Sequence, residues 1–318
     1  MIMILNCMIT ILIHRPGART ALRLVMAVTL LVLLTIGCGP GDDRGSDELT
    51  VVATTSIWGD VVGQIVGDRG RVEVLIPLGT DAHDYQVTPQ QVIALQTADL
   101  VVANGLGLEE GLIDVLKSAE TDGANVYEVG ADLEPLPFES ATGDDPHVWF
   151  DPVRMAVAAG LIAERIAEID PSFDWAARAD AYAAELDTVD AEISDMLAGI
   201  ARPDRRLVTN HEALGYFAQR YGFSVVGVVV PGGSTLSDPS SAELAALVDE
   251  MRRQGVRAIF AETTQPTRLA EAVAAEVGHE VSVVELYTES LGESGSGADT
   301  LVGMLHINAT RIADALSG

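Results

Sequence analysis

Residues 173–200, near the middle of the chain, read FDWAARADAYAAELDTVDAEISDMLAGI. This segment contains one glycine and no proline, and its larger apolar side chains recur every three to four residues, at Tyr182, Leu186, Val189, Ile193, Met196 and Leu197. That periodicity predicts a single amphipathic α-helix. At ~1.5 Å per residue the helix would reach about 40 Å, which is the width of a domain.

On both sides of this segment, β-branched runs alternate with helical runs. Before it, strands are predicted at residues 49–55, 72–77, 100–104 and 125–129; after it, they are predicted at 206–210, 224–230, 258–262 and 281–286. Each set is accompanied by four predicted helices, among them one at residues 108–119 and one that begins near Glu212. This alternation predicts an α/β fold with two parallel four-stranded sheets, each flanked by helices. We therefore divide the chain into an N-terminal lobe at 49–172, a helix at 173–200 and a C-terminal lobe at 201–318.

The composition is that of a folded and strongly acidic protein. Hydrophobic residues make up 48% and charged residues 21% of the 318 positions, which excludes a disordered or fibrous chain. With 19 Lys and Arg against 47 Asp and Glu, the net charge is −28, so we expect no binding to nucleic acid. Cys7 and Cys38 are the only cysteines, which excludes four-cysteine zinc sites and disulfide frameworks.

The N-terminal region has the pattern of an export signal followed by a lipid anchor. Three arginines precede an apolar run at 24–36, which is shorter than the ~20 residues that span a bilayer. The run ends at a Gly-Cys pair that resembles a bacterial lipoprotein cleavage site. We predict a signal peptide at 1–37, lipidation of Cys38 and a flexible tether at 38–48. The protein would then be anchored on the extracytoplasmic face of the membrane; an uncleaved membrane anchor is the alternative.

Three histidines and one glutamate lie where predicted strands end. His83, His147 and His211 each follow a strand or lie in the loop after one, and Glu289 follows the last strand. Right-handed crossovers place the carboxyl ends of parallel strands on one edge, where open sheets bind ligands. A cleft between the two lobes would bring the four side chains together. Three imidazoles and one carboxylate suit Zn²⁺, and the carboxylate also tolerates Mn²⁺.

Several neighbouring side chains have simpler interpretations. Asp151 precedes Pro152 and is interpreted as a helix cap. Glu262 ends a predicted strand and is interpreted as the partner of an arginine. Trp149 and Phe150 either cover the metal site or belong to the hydrophobic core, and the sequence leaves both alternatives open.

Four segments around the predicted ligands share the pattern of one protein family: GTDAHDYQ at 79–86, DPHVWFDP at 145–152, TNHEALGYF at 209–217 and LYTESL at 286–291. With them the chain resembles, over about residues 49–318, the zinc- and manganese-specific solute-binding lipoproteins of bacterial ABC importers, the adhesin-like lipoprotein group. Two positions depart from the family pattern. Ala82 stands where proline is usual, and Glu289 stands where aspartate is usual.

The resemblance implies two lobes joined by one rigid linker helix, with a metal ion held between them by His83, His147, His211 and Glu289. It implies a binding protein, not an enzyme, that captures a divalent transition metal and delivers it to a cognate ABC permease in the membrane. Zinc is the favoured cargo because manganese-specific members more often use two carboxylates; manganese or iron is the alternative. We expect a monomer.

Two other functions are compatible with the same residues. A secreted zinc-dependent hydrolase would use the three histidines as ligands and keep one open position for water, with Glu289 or Glu212 as the base. The chain contains no His-Glu-x-x-His motif. An extracellular adhesion protein would bind its target whether or not metal is present. The lipoprotein signal and the duplicated lobes favour metal capture.

Overall fold

The computed structural model describes residues 48–139 and 142–317. The predicted signal peptide, Cys38 and all but the last residue of the predicted tether lie outside these ranges, so the N-terminal anchor stays a prediction. Within the described ranges, no helix combines the length and the apolar character needed to cross a membrane.

The first half of the described chain is a parallel sheet flanked by helices. Its strands are β1 (Leu49–Ala53), β2 (Gly70–Val74), β3 (Leu100–Ala103) and β4 (Val126–Glu128), and they pair in the order β2-β1-β3-β4. Its helices are α1 (Ser56–Val66), α2 (Pro89–Thr97), α3 (Ile113–Thr121) and α4 (Pro152–Ile169). The central strands β1 and β3 are almost entirely buried, as expected of parallel strands covered on both faces.

After helix α5 (Trp175–Leu197), the second half repeats this arrangement. Its strands are β5 (Arg206–Thr209), β6 (Ser224–Val228), β7 (Ala258–Glu262) and β8 (Ser282–Leu286), all parallel, in the order β6-β5-β7-β8. Its helices are α6 (Gly215–Tyr221), α7 (Ser241–Gln254), α8 (Arg268–Glu276) and α9 (Leu301–Leu316). The predicted fold class, with two parallel four-stranded sheets and a long helix between them, is confirmed. We use N-lobe and C-lobe for the parts that carry the first and the second sheet; their predicted boundaries stay a prediction.

Two predicted helices begin later than expected. The helix predicted from residue 108 starts with a short 3₁₀ turn at Glu110–Leu112 before it continues as α3. The helix predicted to begin near Glu212 begins at Gly215, because the residues before it lead away from the sheet edge in an irregular segment. In both places the delay leaves polar side chains beside the ends of the strands.

Helix α5 packs against both lobes through a continuous hydrophobic core. Its buried side chains, Leu186 among them, belong to one cluster with Trp58 of α1 and Met304 of α9, and all three are fully buried. Separating the lobes along this helix would expose densely packed apolar surface, which is unfavourable. The core therefore supports the role of α5 as a rigid spacer.

A buried carboxylate reinforces the same junction. Asp60 of α1 accepts hydrogen bonds from the backbone N–H of Leu301 at 2.9 Å and from the hydroxyl of Tyr182 at 3.3 Å. These partners belong to α9 and α5, so one side chain joins three helices. Burial raises the pKa of Asp60, although its hydrogen bonds oppose that shift.

Candidate metal centre

The four predicted ligands converge at the carboxyl ends of the two sheets. His83 lies in the loop between β2 and α2, and His147 lies in the segment that leads to α4. His211 follows β5, and Glu289 follows β8. None of the four is more than 2% exposed, and one ligand atom from each lies within 4.8 Å of the others. The predicted convergence of two N-lobe and two C-lobe side chains is therefore present in the fold.

The distances within the cluster are those of a small coordination sphere. His147 Nε2 lies 3.1 Å from His211 Nε2 and 3.2 Å from Glu289 Oε1. His211 Nε2 lies 3.6 Å from the same carboxylate oxygen. A tetrahedron of donors at ~2.0–2.1 Å from a zinc ion has edges of about 3.3 Å. These three atoms therefore have nearly the spacing of one face of such a tetrahedron.

Several polar atoms of the cluster have no hydrogen-bond partner within the described residues. His83 Nε2 and both carboxylate oxygens of Glu289 are buried and make no hydrogen bond there. Glu289 Oε1 lies close to two imidazoles, but not in hydrogen-bond geometry. Leaving a buried polar group unsatisfied costs about 1–3 kcal/mol. A cation placed among these atoms would satisfy all of them, so the donor set fits a metal ion.

Each of the three imidazoles has a carboxylate at its second nitrogen. His83 Nδ1 contacts Glu110 Oε1 at 3.2 Å. His147 Nδ1 contacts Asp145 Oδ1 at 2.6 Å, and His211 Nδ1 contacts Glu262 Oε1. A carboxylate at Nδ1 fixes the ring orientation and keeps Nε2 free for a metal. The arrangement therefore aims all three Nε2 atoms at the centre of the cluster.

Burial and charge act in opposite directions on the protons of the cluster. Burial alone would lower the pKa of His147, but Asp145 and Glu289 outweigh it and raise this pKa to about 10. Burial alone would raise the pKa of Glu289, but the neighbouring imidazoles, His147 foremost, lower it to about 2. Without metal the cluster therefore keeps its carboxylate ionised and holds a proton on His147, which a bound metal would displace.

The remaining histidines of the cluster shift in different directions. Burial lowers the pKa of His83; the Glu289 carboxylate opposes this shift only in part, and the other two imidazoles add to it. Burial also acts against protonation of His211, but the adjacent Glu262 carboxylate dominates and raises that pKa.

The segment that carries His147 is held in place by Asn104, the residue directly after β3. Asn104 accepts a hydrogen bond from Trp58 Nε1 at 2.9 Å, and its side-chain amide donates to the carbonyl of Pro146 at 3.0 Å. Asp145 accepts from the backbone N–H of His147 at 2.9 Å. The turn that presents His147 is therefore fixed both by the sheet edge and by the carboxylate that contacts its ring.

The two lobes approach each other closely at Gly215, the first residue of α6. A Cβ atom there would lie 2.6 Å from Asp145 Oδ2, which is closer than atoms can pack. Tyr216 donates its hydroxyl proton to the carbonyl of Asp145 at 2.7 Å. The absence of a side chain at Gly215 thus lets α6 reach the segment that orients His147.

Trp149 belongs to the hydrophobic core and also lies against His147. It is fully buried in the core, and its ring centroid lies 5.3 Å from that of His147. Its indole N–H donates to the carbonyl of Thr288 at 2.9 Å, directly before Glu289. Phe150 is also part of the core.

The carboxylates that contact the imidazoles were not predicted as part of the site. The interpretation of Glu262 as an arginine partner is wrong: it ends β7, beside β5 in the sheet, and contacts His211. The spacing Asp-Pro-His at Asp145 is a local signal that could have indicated its contact with His147. The interpretation of Asp151 as a helix cap is confirmed, because its side chain accepts from the N–H of Val153 at 3.0 Å.

Comparison with known proteins identifies the family. Residues 51–315 match the family model described as ZnuA, zinc-uptake complex component A, periplasmic. The chain belongs to this family. The family consists of metal-binding, substrate-binding components of ABC transporters, which are solute-binding proteins and not enzymes, and several relatives are named lipoproteins. The predicted family is therefore confirmed.

Individual relatives resemble the chain over nearly its whole length. The manganese-binding lipoprotein MntA of Halalkalibacterium halodurans is 31% identical over 295 residues, which cover 91% of this chain and 97% of the relative. The zinc-binding protein TroA of Treponema pallidum is 31% identical over 303 residues, with 92% and 97% coverage. A solved structure of the periplasmic zinc-binding TroA superposes with a TM-score of 0.80 at 31% identity and covers 85% of this chain and 100% of that chain.

Proposed function

We propose that the protein captures one divalent transition-metal ion between its lobes with His83, His147, His211 and Glu289, and delivers it to a membrane permease. The observation that carries this proposal is the convergence of four buried donors, two from each lobe, with atoms that lack any other partner among the described residues. The three carboxylates that contact the imidazoles, Glu110, Asp145 and Glu262, are called the outer carboxylates below. They add negative charge around the site, which favours a cation.

Zinc is the cargo that the donor set favours. Three imidazoles and a carboxylate are typical zinc ligands, and zinc binds nitrogen donors more tightly than manganese does. Manganese or iron is the alternative cargo, since both oxygens of Glu289 are available and a bidentate carboxylate would raise the coordination number. Among the relatives, MntA is named for manganese and TroA for zinc, so their names support either ion.

The ligand set is tested by calorimetric titration of the metal-free protein with zinc. His211→Ala should weaken zinc binding by several kcal/mol, because one of four donors is lost. His306→Ala, on the exposed face of α9, is the matched control and should bind zinc like the wild type. Equal affinity of His211→Ala and the wild type would remove His211 from the site.

The physiological cargo is tested in cells, since intrinsic affinity follows the same metal order in most proteins. A strain lacking the gene should grow poorly when zinc is scarce and recover when the wild-type gene is returned. Recovery by manganese supplements, and not by zinc, would assign manganese as the cargo.

The location and the partners follow from the same proposal. We propose that lipidated Cys38 anchors the protein on the extracytoplasmic face of the membrane, where a monomer meets its cognate ABC permease. Loss of membrane association in Cys38→Ala, measured by cell fractionation, is the expected result. A variant that stays with the membrane fraction would contradict anchoring through Cys38.

The rival function, a zinc-dependent hydrolase, requires an open coordination position for water. Four buried protein donors leave little room for one, which favours binding over turnover. Steady hydrolysis of chromogenic ester or peptide substrates by the zinc-loaded protein would contradict the proposed function.

A further inference from the structure

One buried carboxylate joins the loop that carries His83 to the C-lobe. Asp81 is 6% exposed. Its Oδ1 accepts a hydrogen bond from the backbone N–H of His83 at 2.9 Å. Its Oδ2 accepts one from the Thr235 hydroxyl and one from the Gln265 side-chain amide, both at 2.5 Å. The carboxylate is therefore satisfied partly by its own loop and partly by the opposite lobe.

The two C-lobe donors come from different segments at the edge of the second sheet. Thr235 lies in the connection between β6 and α7, and Gln265 lies just after β7. Strand β7 ends at Glu262, which contacts His211. Asp81 thus connects the backbone of one proposed ligand with the segment that orients another.

A carboxylate taken out of water is stable only where hydrogen bonds replace its hydration. Hydrogen bonds to an ionised group are also stronger than those between neutral groups. Two of the three donors to Asp81 belong to the C-lobe, so any movement of the His83 loop away from that lobe breaks both bonds to Oδ2. The contact should therefore resist the first step of opening the site.

We propose that Asp81 is a positioning residue: its hydrogen bonds to the C-lobe hold the His83 loop in place and slow release of the bound ion. We call this contact the latch. The inference rests on the proposed function, because it takes His83 as a ligand. Asp81 acts through the loop, and neither Thr235 nor Gln265 belongs to the four-donor cluster. Removing the two C-lobe donors should therefore change the rate of metal release while the coordination sphere stays the same.

The test uses the full chain with Thr235→Val and Gln265→Met, singly and together. Both substitutions keep side-chain size and remove the donor to Oδ2, while the bond from the His83 N–H remains. Ser237→Ala, an exposed position in the same connection as Thr235, is the matched control. Stopped-flow mixing of the zinc-loaded protein with excess chelator gives the release rate, and the visible absorption spectrum of bound Co²⁺ reports the ligand set.

The double variant should release zinc roughly ten times faster than the wild type, with an unchanged cobalt spectrum. Each single variant should fall between them, and Ser237→Ala should match the wild type. Equal release rates in the wild type and the double variant would overturn the latch. An altered cobalt spectrum would overturn it as well, because the substitutions would then act on the ligands. A wild-type chain that takes up neither ion would instead refute the proposed function, and the latch with it.

Discussion

The contact between Glu262 and His211 offers the sharpest test of how the site reaches its affinity. Glu262 is 2% exposed, and its Oε1 contacts the Nδ1 of His211, which is itself fully buried. In Glu262→Gln the amide oxygen can still accept the Nδ1 proton, so the ring orientation is kept. What disappears is the negative charge that makes the imidazole a stronger donor to a metal.

Loss of such a partner lowers metal affinity by about 10–100-fold, which corresponds to about 1.4–2.8 kcal/mol. The upper part of that range is expected here, because both side chains are buried and water does not screen the charge. Glu110→Gln is the matched comparison. The Glu110 side chain is 37% exposed and lies 3.2 Å from His83 Nδ1, so solvent screening should reduce its effect to about tenfold or less.

Zinc affinities of the two variants and the wild type are measured by competition with a chelator at one fixed pH near neutrality. Circular dichroism of the metal-free proteins checks that each variant remains folded. Equal losses in Glu262→Gln and Glu110→Gln, or no loss in either, would refute the argument that burial sets the strength of the outer carboxylates.

Two further predictions follow from the same region. In the metal-free protein the pKa of His147 is raised to about 10, so zinc must displace its proton at neutral pH and its affinity should increase from mildly acidic to mildly alkaline solution. Calorimetry in buffers of different ionisation enthalpy should detect that proton; the same heat in every buffer would contradict it. Gly215→Ala should cost about 1–3 kcal/mol of stability in urea unfolding, because its Cβ would lie 2.6 Å from Asp145 Oδ2. Gly160→Ala, a helical position with nothing within 4 Å of the added Cβ, should not destabilise the fold.

The sequence predicts the sheets well because their strands are short apolar runs bounded by polar turns. Strand β7 has the predicted bounds, and β5 ends at Thr209, one residue before the predicted end. Most of the differences lie at the carboxyl edge, where the chain leaves the sheet to present polar groups, although β2 also begins at Gly70, two residues before its predicted start. There the positions of donors depend on both lobes, which no local pattern describes.

The positions of the proposed ligands were predictable because each histidine follows a strand or lies in the loop after one, and parallel strands end on a common edge. The outer carboxylates were harder to predict. Glu262 lies 51 positions from His211 and meets it only because β5 and β7 are neighbours in the sheet. The Asp81 contact depends likewise on the docking of one lobe against the other, and it connects residues 154 and 184 positions apart.

Because the proposed donors are divided evenly between the lobes, tight binding of the ion requires that both lobes have folded. One lobe contributes His83 and His147, and the other contributes His211 and Glu289. A molecule in which a single lobe has folded offers only half of the set, and two donors hold a metal far more weakly than four. Uptake would then coincide with the last step of tertiary assembly, so a misfolded copy would stay empty and withdraw no scarce metal from the cell's surroundings.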